Sequence, residues 1–501
     1  IWLGNDIAGM TWVAEWDRWW SPLDNPEAIE IVPHGDEVVL RINMVAVPTT
    51  IDGPVQFQWG LLPTPAKPMN QRFNHDLYLV QPGWTYDRAT NSLGDDFLER
   101  HREYVRNGAN AVNIWAYGHT TDPKVDNHLW NPDFAAPDLN PATPDNDIRR
   151  PLLREAVAAA HEAGLRHVLL YTLWNMPKDW PGTESFWREM VSHPLAPSFE
   201  GYSFEANQAF NDWYAYTLKG LAEYTKIDGV YLDSSAHVRF SANLHTGSGW
   251  YDSKGRLRGR YRQWGTRELH KRIWSIFHVE MDNDNGLVYG HNTHMHTPVV
   301  ESFTDIKHAG EGSELKRDWL IPKFYGYPFG NATTWTRWNN PIYPETRMNS
   351  WRVAHMLDID LKAHPRFLTE EFRHVHRDYE EETHVIKYIW DAWQRYPWDG
   401  SIWVPAWKSH ELVRTGDDPD IWASVHYNPG KAALVTVSNF HQSVQTVVAD
   451  LDLGSLGLSA DRLTMTDVVL GEAVPHKAGN VTLDILPERW RMLYLKPAET
   501  D

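Results

Sequence analysis

The chain contains no cysteine, which excludes disulfides, thiolate metal centres and a cysteine nucleophile together. That absence fits a secreted, periplasmic or cytoplasmic protein equally, so the compartment stays open. No uninterrupted apolar run of about 18 residues occurs, so no segment reads as a membrane-spanning helix. Positive charge is in short supply, with 47 Lys and Arg against 66 Asp and Glu and a formal net charge of -19. Such a field repels phosphate backbones and anionic head groups, which argues against nucleic acid and membrane surfaces as partners. Also missing are GxxxxGK[ST], a GxGxxG that opens a helix and a GxSxG elbow, which removes nucleotide-binding and serine-hydrolase readings. There is no fixed-period repeat and no low-complexity tract. The first residues read as folded β-structure rather than as a basic leader with an apolar centre, so Ile1 reads as a trimmed boundary.

What the sequence does have is 501 residues, 42% of them hydrophobic, enough for a large barrel with one or two smaller modules. Tryptophan is unusually frequent, its 27 copies exceeding both the 21 Tyr and the 16 Phe. Indole rings belong in cores and between domains, but they also make flat platforms on which the apolar faces of sugars stack.

The hydrophobic pattern divides the chain in three. Residues 1–55 alternate in strand fashion and read as part of an N-terminal β-sandwich. Over 56–415 short apolar runs alternate with helical spacing, as in Phe210, Trp213, Tyr214, Thr217, Leu218 and Leu221 before the run Ile227 to Asp233. Strands are expected near 57, 111, 167, 229, 287, 300, 324–332 and 402, the eight that close a (β/α)₈ TIM barrel. Helices are expected over 95–108, from Pro151 to Gly164, and around Val353, Met356, Leu357, Leu361 and Ile386, Ile389, Trp390, Trp393. Residues 416–501 lose the helical spacing and read as a C-terminal antiparallel β-sandwich domain. The predicted fold class is therefore α/β, a TIM barrel between two β-domains.

In such a barrel the reacting groups sit at the C-terminal ends of the strands. Those ends carry Trp115, Tyr117, Trp174, Asp233, His291 and, between two glycines, Glu311. A carboxylate ending an apolar strand is too costly to hold inside the barrel layer unpaired, so Asp233 is expected to face the polar mouth; its alternative role is to cap the following loop. Glu311 reads as a second acid brought close to a ligand by flanking glycines, with Glu301, Asp305 and Glu314 as rivals. Two separated carboxyl groups are what glycosidic cleavage requires, one ionised and one protonated. The histidines 291, 294 and 296 invite a metal reading, but strand alternation sends 291 to one face and 294 and 296 to the other, so no metal is assigned. Asp282 to Gly286 lacks EF-hand spacing and reads as a turn.

Several strings resemble a known group: IWLGNDIAGMTWVAEWDRWW at the start, FQWGLLPTPAKP at 57–68, IDGVYLDSS at 227–235 and SFTDIKHAGEG at 302–312. Together they are similar to uncharacterised glycoside-hydrolase-like proteins near glycoside hydrolase family 123. The resemblance implies a sandwich, barrel and β-domain in that order, with Asp233 matching the acid that ends the fourth barrel strand and Glu311 the acid after the sixth. That layout is also similar to the α-galactosidase-type clan, where a fourth-strand Asp is the nucleophile and a sixth-strand acid the proton donor. The chain departs from family 123 itself, whose adjacent Asp-Glu pair has no counterpart because Ser234 follows Asp233.

The expectation is a retaining glycosidase without cofactor, acting on an oligo- or polysaccharide. Asp233 is the nucleophile and Glu311 the acid/base, and Trp115, Tyr117, Trp174, Arg239 and His291 shape the sugar subsites. An inverting glycosidase, a non-catalytic carbohydrate-binding protein and a metal-dependent hydrolase or lyase are the alternatives. The loop at 118–147 reads as a lid, a subsite wall or the contact of a homo-oligomer.

Overall fold

The computed structural model describes residues 1–5, 8–68, 76–80, 93–114, 146–173, 175–176, 189, 202–233, 240–281, 283–291, 297–308, 330–336, 360–362, 385–468, 470–487 and 490–498. Its centre is an eight-stranded sheet. The strands are β1 (Leu79–Val80), β2 (Ala111–Ile114), β3 (His167–Leu173), β4 (Gly229–Asp233), β5 (Leu287–His291), β6 (Ile306–His308), β7 (Ala332–Thr336) and β8 (Asp360–Lys362). They lie in chain order, and every neighbouring pair is parallel. Parallel neighbours need crossovers, and these contain α1 (Phe97–Arg106), α2 (Asn146–Glu162), α3 (Gln208–Thr225), α4 (Gln263–Ser275) and the short α5 (Pro298–Glu301), with α6 (Val385–Arg395) following β8. This winding, flanked by antiparallel sheets at both ends, is the (β/α)₈ barrel class.

Two of the expected barrel strands lie elsewhere. Trp59–Thr64 pairs antiparallel with Gly9–Ala14, which also pairs with Trp2–Gly4. Ile402–Val404 pairs antiparallel with Ile421–Asn428 in the C-terminal domain. Leu79–Val80 and Asp360–Lys362 take their places at the ends of the parallel sheet. A short apolar run states that a strand is buried but not which partner buries it. The strand-like stretch from 298 opens instead with α5, whose Pro298 suits a first helical turn. Leu361, expected on a helix, lies in β8; residues 353, 356 and 357 lie outside the described residues. Pro151 sits inside α2 rather than at its start, while Gly164 ends that turn with φ +104°, a value suited to glycine.

Strand alternation sorts the side chains to two faces. Val112, Val168, Leu170, Val230, Leu232 and Val288 join Phe210, Tyr214, Leu218, Leu269, Ile273 and Trp390 in the layer between sheet and helices. Leu79, Ala111, Leu169, Tyr231, Leu287, Tyr289 and Ile306 form a separate cluster on the other face, the barrel interior. Gly229 is required at the crowded centre, where a β-carbon would lie 1.9 Å from the Leu287 carbonyl oxygen.

The end where the strands begin is fastened by a repeated device. Asp228, just before β4, accepts the Val168 N–H of β3 at 2.8 Å and bonds His161 Nε2 at 2.8 Å. Asp305, just before β6, accepts the Val288 N–H of β5 at 2.7 Å and bonds His278 Nε2 at 2.7 Å. Burial works to raise the Asp305 pKa, but His278, Lys67 and the Val288 N–H together hold it below the usual carboxylate value. Its stabilising effect is present above the unfolded pKa and is lost as pH falls through the lower folded value.

His101 on α1 is buried and stacked on Phe97, and its Nδ1–H donates to the Phe97 carbonyl at 2.7 Å. Desolvation is the main reason its pKa drops to about 4, from 6.5. A lowered histidine pKa favours the neutral form, so its contribution is complete above 6.5 and disappears between 6.5 and 4. We expect acidification across that window to cost the native protein up to about 3 kcal/mol through this residue. Urea midpoints at pH 7 and pH 4.5 should therefore converge in His101→Met relative to the native chain; an equal acid loss in both would contradict the assignment.

The C-terminal domain is a sandwich. One sheet runs Ile402–Val404, Ile421–Asn428, Ala432–Asn439, Trp490–Pro497, Leu463–Asp467, and the other Val413–Arg414, Gln445–Leu451, Asn480–Ile485. Val425, Val435, Val437, Leu483 and Leu493 fill the space between them. The antiparallel strands expected over 416–501 are present.

Candidate active site

The barrel interior can be read in layers from the parallel register. Leu169, Gly229 and Leu287 stand opposite one another, and two residues later so do Tyr171, Tyr231 and Tyr289. The three tyrosine rings form a continuous stack, with centroids 5.2 Å apart between Tyr171 and Tyr231 and 4.8 Å between Tyr231 and Tyr289. Offset stacks of this spacing are favourable. Tyr231 and Tyr289 are buried, whereas Tyr171 is half-buried.

Two residues further along, the strands end. Leu173 stands opposite Asp233 and His291 opposite His308. Leu232 pairs with Gly290, so continuing that register by one residue sets Asp233 beside His291. Asp233 thus ends the fourth strand at the barrel's C-terminal face, two residues beyond Tyr231. His291 ends the fifth strand, is buried, and lies 5.8 Å from the Tyr231 ring. Of the other residues singled out, Trp115, Tyr117, Trp174, Arg239 and Glu311 lie outside the described residues, as do 294 and 296 of the histidine cluster. Among the rivals of Glu311, Asp305 belongs to the fastening at the opposite end, and Glu301 is buried on α5 with its carbonyl accepting from Asn331. Asn283 and Asn285 make a turn closed on Asp228, in keeping with the turn reading of that segment.

The tyrosine layer was not anticipated, although its signal is visible: Tyr stands two residues before the end of three successive strands, in LLYTL, GVYLD and LVYGH. Asn113 was missed as well. It lies on β2, wholly buried, two residues beyond Ala111 of the interior cluster, and neither end of its side-chain amide has a hydrogen-bond partner.

A substructure on the same end of the barrel shapes the rim. Between β4 and α4 the chain makes two small hairpins, Phe240–Ser241 with Arg260–Tyr261 and Trp250–Tyr251 with Leu257–Arg258. Their anchor is Glu205, buried beneath them. Its carboxylate accepts from Ser241 Oγ at 2.5 Å, Ser248 Oγ at 2.7 Å, Thr246 Oγ1 at 3.0 Å and Arg262 Nε at 2.7 Å. Glu15 of the N-terminal sheet reaches the same place, accepting the Trp264 N–H at 2.6 Å and facing Arg260 at 3.5 Å. Burial raises the Glu15 pKa against the opposing pull of that N–H and of Arg260. Arg260 also lies over the Trp16 ring at 4.7 Å.

Among the described residues one group has the composition to hold a cation, Asp418, Asp420 and His441, whose nearest ligand atoms lie within 4.8 Å of one another. It is on the C-terminal sandwich, and there His441 Nε2 already bonds Asp418 at 2.8 Å as a link between two turns.

No protein-family profile matches the chain, and no curated protein does. Solved structures do. An α-amylase from Anoxybacillus superimposes with a TM-score of 0.55 at 11% identity, covering 85% of this chain and 99% of that one. A trehalose-6-phosphate hydrolase from Bacillus licheniformis gives 0.54 at 10% identity, over 85% of this chain and 100% of that one. A noncanonic maltogenic α-amylase from Thermotoga neapolitana gives 0.54 at 12% identity, over 84% and 99%. At these identities the likeness establishes the fold: a barrel with flanking β-structure, of the kind these glycoside hydrolases have.

Proposed function

We propose that the protein is a glycoside hydrolase that cleaves an oligo- or polysaccharide with retention of anomeric configuration. The observation that carries this reading is the position of Asp233 in the chain, at the C-terminal end of the fourth parallel strand and two residues beyond Tyr231 of the stacked tyrosine layer. Structural neighbours named as α-amylases and as a trehalose-6-phosphate hydrolase support the substrate class, and the α-amylases favour an α-linked sugar. The resemblance to proteins near family 123 belongs to the same proposal.

In this reading the Asp233 carboxylate attacks the anomeric carbon. The bond to the leaving oxygen breaks, and Glu311, protonated, gives that oxygen its proton. Glu311, now ionised, then takes a proton from water, whose oxygen attacks the anomeric carbon and releases Asp233. Strands four and six are separated by one strand, so their ends are about 10 Å apart, a span two carboxyl side chains can bridge with a sugar between them. Trp115, Tyr117 and Trp174 would supply stacking faces, and Arg239 and His291 hydroxyl contacts. The site calls for no cofactor.

The test is a screen of aryl glycosides and oligosaccharides, with NMR detection of the first-formed anomer. The expected product keeps the anomeric configuration of the bond cleaved. An inverted first product would assign the carboxyl pair to an inverting reaction, and binding without any release of reducing ends would leave a carbohydrate-binding barrel.

A further inference from the structure

A second cleft lies outside the barrel, on the same end as Asp233. It has a volume of about 650 Å³ and is lined by the first turns of α3 and α4, including Gln208, Asn211, Trp264 and Glu268. The two helix ends approach closely because residue 265 is glycine: a β-carbon there would fall 1.8 Å from the Ala206 carbonyl oxygen. The volume suits one or two sugar units.

Two polar atoms of the lining are unsatisfied. Asn211 is only 3% exposed, and its Nδ2 donates to the Gly265 carbonyl at 2.9 Å. Its Oδ1 has no hydrogen-bond partner, and neither does Nε1 of the half-buried Trp264. One is an acceptor and the other a donor, and leaving such groups buried and unpaired costs about 1–3 kcal/mol each. A sugar hydroxyl has both functions, able to accept from the indole N–H or to donate to the amide oxygen. The charges of the lining argue against an anion. Arg262 is committed to Glu205 and Arg272 to Asp212, and Glu268 is exposed.

We infer that this cleft is a second carbohydrate site, which holds a neutral sugar unit of a chain that also reaches the barrel mouth. The carbohydrate class rests on the glycosidase reading. Both atoms are buried, so binding requires the Trp264 side chain, whose ring edge packs against Gly60, to turn and admit a hydroxyl.

The test uses the full chain carrying Asp233→Asn, so that oligosaccharides survive, labelled with 5-fluorotryptophan. The Trp264 resonance is identified by its loss in Trp264→Phe. Maltohexaose, cellohexaose, xylohexaose and sodium sulfate are titrated in turn. The proposal expects the Trp264 signal to move with at least one hexaose, and Gln208→Trp, which fills the cleft from an exposed position, to weaken that response at least fivefold. It is overturned if no hexaose moves the signal, if sulfate alone moves it, or if Gln208→Trp leaves the response unchanged. Hydrolysis by the native chain without a Trp264 response would remove the cleft and keep the glycosidase reading. A response with no hydrolysis by the native chain would do the reverse.

Discussion

Replacing Asp233 by Asn is expected to lower kcat on any glycoside the protein hydrolyses by on the order of 10⁴-fold, with the thermal midpoint essentially unchanged. The reason lies in the register: the residue ends β4 at the face where barrel strands deliver their chemistry, so its removal takes away the proposed nucleophile without opening the packed layers below. Azide supplied to Asp233→Ala offers a distinguishing result. It can attack the anomeric carbon in place of the missing carboxylate, releasing the leaving group and giving a glycosyl azide of inverted configuration. Restoration of turnover by azide is the outcome we expect for a nucleophile. Unaltered hydrolysis by Asp233→Asn would show that the carboxylate is not used.

The second large effect is structural. Glu205→Ala should destabilise the protein by about 3–5 kcal/mol, because it leaves Arg262 in a largely buried place without its counter-ion. The loss also takes the acceptor from Ser241 and Ser248, both buried. Glu205→Gln keeps the volume and one acceptor oxygen and should lose less. Urea unfolding of the three proteins, read at the same pH, checks this order. A loss below about 1 kcal/mol for the alanine variant would mean that the hairpins over residues 240–261 hold together without their anchor. Because those hairpins lie on the C-terminal end of the barrel, where the proposed site sits, a raised KM should accompany the stability loss.

The barrel was legible because its crossovers are. Phe210, Tyr214, Thr217, Leu218 and Leu221, at helical spacing, are all buried on α3, and the run that follows becomes β4. The ends of the sheet were not legible. Trp59–Thr64 and Ile402–Val404 carry the same short apolar pattern as true barrel strands, and only tertiary pairing assigns them to antiparallel sheets. Leu79–Val80 and Asp360–Lys362 are too short to show any period. For the site, Asp233 and His291 could be placed because each closes a strand with strong β character, and the structure sets both at the C-terminal face. The tyrosine layer escaped notice because its order runs across strands far apart in sequence, although each Tyr sits at the same distance from its strand end. The Glu205 anchor left no local trace: its partners are spread from Ser241 to Arg262, and a glutamate preceding a helix reads as an ordinary surface acid.

The most direct measurement is to trap the covalent intermediate. A 2-deoxy-2-fluoro glycosyl fluoride of the sugar identified in the screen slows release more than attack, so the labelled ester accumulates and can be located by peptide mass spectrometry. One added sugar is expected, carried by the peptide that contains Asp233 and absent from Asp233→Asn. A label on a different carboxylate, or steady hydrolysis of the parent glycoside with an inverted first product, would contradict it.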